Sequence, residues 1–138
     1  MLEILTQIIN IFTGDTTLKS LVPAANMFTG PVEIVTEAQA NLYYPQIQIS
    51  VISETTRSVP TNVRDTMVQI SVFSKTSQLE VVNIYERVLT LLEYYNATVG
   101  STARISWMKV SGMTDQYESD RRIWHRAITV ECWAQKPF

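Results

Sequence analysis

The chain has 138 residues, a net charge of -2, 46% apolar residues and 17% charged ones. That length fits one domain, that composition is folded rather than disordered, and the charge is too small for an independent nucleic-acid binder. Cys132 is the single cysteine, so there is no internal disulfide. A chain of this size buries roughly 68% of its surface and needs neither a disulfide nor a metal to hold together.

Leu2, Leu5, Ile9 and Phe12, with Ile4, Ile8 and Ile11 beside them, recur at spacings of three and four and predict an amphipathic helix that Gly14 stops. The stretch holds no Lys or Arg and is interrupted by Glu3, Thr6, Gln7 and Asn10, so it reads as no signal peptide. No apolar run approaches 18 residues, and a soluble protein made in a cytoplasm is expected. A short second turn is expected over Asp15 to Leu21, ended by Pro23. One short strand is expected around Val32, Ile34 and Val35.

After Tyr44-Pro45 the period becomes two. Ile47, Ile49 and Val51 alternate with Gln46, Gln48 and Ser50, and later Val68, Ile70 and Val72 alternate with Met67, Gln69, Ser71 and Phe73. The polar sequence between them, residues 53–66, predicts an exposed loop joining an antiparallel pair. Ser77, with Glu80 three residues on, has the spacing of a capping box. Behind it Val81, Ile84, Tyr85, Val88, Leu91, Leu92 and Tyr95 share one helical face, with Glu86, Arg87, Thr90 and Glu93 on the other. Burying those seven is worth on the order of 10–20 kcal/mol before entropy, which calls for an apolar sheet beneath.

Arg104 to Val110 and Ile123 to Trp133 read as two further strands, with residues 112–121 a second long polar loop. In the last strand Trp124, Ile128, Val130 and Cys132 share one parity. The order α-β-β-α-β-β predicts an α+β domain over residues 1–138, an antiparallel sheet of about four strands with helices packed on one face. The opposite parity, Ile123, His125, Ala127, Thr129, Glu131 and Trp133, mixes large apolar with polar groups. Two readings stay open for it: a partly wet surface with isolated hydrophobes, or a surface covered by another subunit with Phe73 and Trp133 as anchors.

Site chemistry is sparse. His125 is the only histidine and Cys132 has no second thiol, so the usual zinc ligand sets cannot be written. His125 and Cys132 lie at an odd offset and point to opposite faces of one strand, which argues against a Cys-His pair. Four scattered glycines make neither a phosphate loop nor a dinucleotide fingerprint. Asp115, Glu118 and Asp120, followed by Arg121 and Arg122, read as a solvated loop with local ion pairs rather than acid-base machinery. No catalytic residue, cofactor or metal is expected. Residues 1–56 carry one cation and five acids, residues 57–138 ten cations and eight acids, and such unequal halves suit contacts between identical neighbours.

The layout resembles the tail terminator, or tail-completion, proteins of long-tailed bacteriophages. The resemblance covers most of the chain: an N-terminal helix, Tyr44-Pro45-Gln46-Ile47-Gln48-Ile49 entering a strand, and Val68-Gln69-Ile70-Ser71-Val72-Phe73-Ser74-Lys75 running into the helix from Glu80 to Val88. The acidic stretch Asp115 to Asp120 and the closing strand Ile123 to Val130 complete it. The resemblance implies a non-enzymatic virion protein that forms a ring, commonly of six copies, at the head-proximal end of the tail. There it would stop tube polymerisation and take part in head-tail joining, after assembly in the host cytoplasm. Its partners would be copies of itself, the tail tube protein and a head-connector or neck protein, with DNA only as cargo through the lumen and no membrane. A heterologous ring interface needs two different patches per subunit. Arg57, Arg64, Asp115, Glu118, Asp120, Arg121 and Arg122, in or beside the two polar loops, are the expected interface residues together with Phe73 and Trp133. Two other functions fit the residues: another neck or head-completion protein, and a cytosolic ligand-binding regulatory domain with Tyr43, Tyr44, Trp107 and Trp124 as its pocket.

Overall fold

Ile4, Ile8 and Phe12 stand four residues apart on helix α1 (Leu2–Gly14) and all three are buried, with Leu5, Ile9 and Ile11 partly buried beside them. All three belong to the wide predicted stripe, and the buried line runs along its Ile4-Ile8-Phe12 side. In the computed structural model, residues 2–30, 42–56, 63–93, 97–99 and 103–135 are described. Helix α2 (Thr16–Leu21) follows at once because Asp15 caps it, its Oδ2 accepting from the Leu18 N–H at 2.8 Å. A single 3-10 turn, Ala24–Asn26, leads into the first strand.

The strands are β1 (Met27–Thr29), β2 (Gln46–Thr56), β3 (Val63–Ser74), β4 (Ala97–Val99), β5 (Ala103–Glu118) and β6 (Ile123–Gln135), and helix α3 (Gln78–Leu92) lies between β3 and β4. They form one six-stranded sheet in the order β1-β2-β3-β6-β5-β4. β1 lies parallel to β2 and every other pairing is antiparallel. The α+β class and the helices on one face agree with expectation. The count of about four strands describes only the long central ones; β1 and β4, three residues each, extend the sheet at both sides. The strand expected around Val32 to Val35 lies outside the described residues.

Ile47 and Ile49, Val68, Ile70 and Val72, and Ile128, Val130 and Cys132 point to the same side of the sheet and are buried. They meet Val81, Ile84, Val88 and Leu92 of α3 and the buried line of α1 in one core. α1 reaches β1 and β2 at one edge and β4 at the other. Ser77 caps α3 by accepting from the Glu80 N–H at 3.1 Å. The return half of the capping box runs through Ser74, whose Oγ donates to Glu80 Oε1 at 2.7 Å and accepts from the Thr76 N–H at 3.0 Å. The last residue of β3 is thereby tied to the first turn of α3.

Both polar loops are shorter than expected. Residues 53–56 and 63–66 are strand, paired from Ser53↔Met67 to Thr56↔Arg64. Residues 112–118 are strand as well, paired from Gly112↔Thr129 to Glu118↔Ile123, so only residues 119–122 turn. Polar residues keep a ladder here because the hydrogen bonds run between backbones and one partner, β6, is already held by β3.

Candidate functional site

With α1 and α3 on one side, the other side of the sheet carries rows of residues fixed by register. From β2 to β5 these read Gln46, Phe73, His125, Gln116, then Gln48, Ser71, Ala127, Thr114, then Ser50, Gln69, Thr129, Gly112, then Ser53, Met67, Glu131, Lys109. Most are half-buried or exposed, and no described helix packs on this face. Its polar groups partly satisfy one another: Gln48 Nε2 donates to Gln46 Oε1 at 2.7 Å, and Gln69 Nε2 to Ser71 Oγ at 3.1 Å. At one end the His125 ring stacks on Phe73, with centroids 4.2 Å apart, and Tyr44 meets Phe73 edge-on at 6.5 Å. Burial pushes the His125 pKa down, keeping the ring neutral, and among the described residues nothing bonds its buried Nε2.

At this end of the sheet β5 is the outer strand on β6, which β3 holds from the other side, and this outer part of β5 with the turn after it is a ribbon on which residues 111–122 are all exposed. At its root Arg126, only 7% exposed although charged, holds Asp115 with two bonds, Nε to Oδ1 at 2.7 Å and Nη2 to Oδ2 at 3.0 Å. Its guanidinium carbon lies 4.7 Å from the centre of the Tyr85 ring on α3. The Arg126 hydrogen bonds hold the Asp115 carboxyl below its ordinary pKa. Beside the pair, Tyr117 and Trp124 lie ring on ring at 4.3 Å. A second fork joins the helices: Arg87 donates to Asp15 at 2.8 and 2.7 Å and pulls its pKa down to about 2.

Asp115, Glu118, Asp120, Arg121 and Arg122 all stand on this ribbon, and Phe73 lies in the adjoining row. Asp115 is exposed and ion-paired, and its partner is Arg126 across the strand pair. Arg122 closes the turn with φ +57, a left-handed conformation. Trp133 and the backbone of Arg64 sit at the other end of the sheet, eight residues along β6 from His125 or about 26 Å, so the expected interface residues form two groups. Arg57 lies outside the described residues. Tyr44 and Trp124 fall on opposite faces, beside Phe73 and Tyr117 respectively, so these two of the aromatic groups expected to line a pocket do not share one, and the Trp107 side chain lies outside the description. Cys132 is buried as expected, which pushes its thiol up to about 12. Arg126 was not singled out from the sequence. Its signal was a charge on the apolar parity of β6, between Trp124 and Ile128.

Among the described residues no group of three His, Cys, Asp or Glu is placed to hold a metal ion, and no helix is long and apolar enough to cross a membrane. No protein-family model and no curated protein matches the chain. Among solved structures the fold is similar to a chain described as "Virion of native gene transfer agent (GTA) particle", with a TM-score of 0.69 and 11% identity over 93% of this chain and 91% of that one. At that identity the likeness is one of fold.

Proposed function

We propose that the chain is a structural virion protein: a ring-forming tail terminator that caps the head-proximal end of the tail tube, stops its growth and contributes to head-tail joining. The observation that carries the reading is the end-to-end match of its fold to a chain from a gene transfer agent virion, with little of either chain left over. The sheet supports it, with one face spent on the core and the other face and the ribbon open to neighbours. Its partners would be copies of itself in a hexameric ring, the tube protein and a head-connector protein. DNA would pass as cargo, and a net charge of -2 gives the chain little hold on it.

The matched chain's description names a whole particle, so another neck protein is the second reading. Electron microscopy of particles separates the two. A terminator appears as a ring at the head-proximal end of the tail, and its loss leaves tubes of uncontrolled length. Normal tube lengths without the protein would overturn the terminator role.

A further inference from the structure

His125 is the only histidine of the chain, and its ring lies flat on Phe73, with centroids 4.2 Å apart and 16° between the planes. Register sets it between Phe73 of β3 and Gln116 of β5, with buried Ile123 two residues before it on the same strand. Tyr44 meets the Phe73 ring edge-on at 6.5 Å, and Tyr43 meets Phe28 of β1 in the same way at 6.1 Å. The segment that carries the two tyrosines is held by buried amides. Asn26 Nδ2 donates to the Leu42 and Pro45 carbonyls at 3.1 Å each, and Gln46 Nε2 to the Tyr43 carbonyl at 3.2 Å. In this setting the His125 Nε2 is buried and, among the described residues, has no partner.

A neutral imidazole tolerates this seat, because one of its two nitrogens carries no proton. A protonated ring does not: both N–H groups then donate in the plane of the ring, where the Phe73 face stacked on it accepts neither. We propose that His125 is a pH switch for this end of the sheet: neutral, it stays stacked on Phe73, and protonated, it leaves the stack for Glu118 and water and opens the Phe73 ring. Glu118 is exposed and stands two residues along β5 from Gln116, the residue opposite His125. Around the ring, Lys75 lies two residues beyond Phe73, past the end of β3, and Arg121 stands in the turn, acting on Tyr44. Asp115 is on the opposite face, held by Arg126. Tyr44 stays neutral because burial raises its pKa.

Burial outweighs the pull of Glu118 and Asp115 and holds the His125 pKa below its ordinary 6.5. The stacked state is therefore at full strength above that value and weakens as pH falls below it. Asn26 and Gln46 do not titrate, so the segment from Leu42 to Pro45 keeps its anchors and the opening is confined to the Phe73 and His125 rings. A contact made through Phe73 thereby becomes pH-dependent, whatever the partner, and the switch does not rest on the proposed function.

NMR of the full chain, titrated from about pH 8 to about pH 5, tests this, and a single histidine makes the ring signals unambiguous. At the upper end the His125 ring protons are displaced upfield by the Phe73 ring, relative to Phe73→Leu. On acidification the ring protonates with a midpoint below 6.5 and loses that displacement at the same midpoint, while the Phe73 signals move with it. Glu118→Gln removes the group that receives the cation and lowers the midpoint further. His125→Phe keeps a ring to stack and cannot ionise, so its Phe73 signals stay fixed over the same range. A midpoint at or above 6.5, or a protonated ring that keeps its upfield displacement, would overturn the switch. So would Phe73 signals that move as much in His125→Phe as in wild type. Should that variant fail to fold, the wild-type titration decides alone.

Discussion

Ile70 and Ile128 on one side of the sheet are buried against the helices, whereas Gln69 and Thr129, one residue away on the same two strands, look out from a face that no described helix covers. The backbone ladder is common to both faces, so the difference lies in the side chains alone. One parity is committed to folding, whereas the other, with the ribbon, is mostly half-buried or exposed among the described residues. Substitutions on the two sides should therefore separate stability from assembly.

The largest loss is expected from Phe12→Ala, which empties a fully buried site and costs about 3–5 kcal/mol in denaturant unfolding. A cost near zero would mean that α1 is not part of the core. Arg126→Ala comes next. It strands Asp115, which is 39% exposed at its side chain and so partly served by water, and the cost is about 2 kcal/mol. Asp115 should then titrate nearer the ordinary carboxylate range, measurable by NMR.

Asp15 should show itself in acid. Its folded pKa of about 2 lies below the ordinary aspartate value of 3.8, so its stabilisation is complete above about pH 4 and is lost as pH falls toward 2. Asp15→Asn keeps a capping side chain and should flatten that part of the acid limb. Arg122→Gly relieves a left-handed turn residue and should stabilise the chain by about 0.5–1 kcal/mol, seen as a small rise in Tm. Thr114→Lys, exposed on the ribbon, should change stability by less than about 0.5 kcal/mol while blocking assembly.

What was legible in the sequence was local or periodic. The Ser77 cap and the Val81, Ile84, Val88 face follow from spacings within one or two turns, and Ile47, Ile49, Val68, Ile70 and Val72 from strict alternation. β1 and β4 are too short to show a period. Residues 112–118 were hidden for another reason: an exposed ribbon has no buried parity, and only its partner strand makes it a strand. The ion pairs of Arg87 and Arg126 leave no local spacing to read, because their carboxylates lie 72 and 11 residues away. The two groups of expected interface residues could be named from the sequence, but not their separation along β6, which depends on register.

The most direct test of the account is the mass of the purified chain in solution, alone and mixed with tail tube protein, for wild type and Thr114→Lys. The account predicts that the wild type forms one closed multimer of identical copies, at the latest on contact with tube ends, and that the variant stays monomeric and fully folded. A wild-type chain that remains monomeric in both conditions, or a variant that assembles as well as wild type, would contradict it.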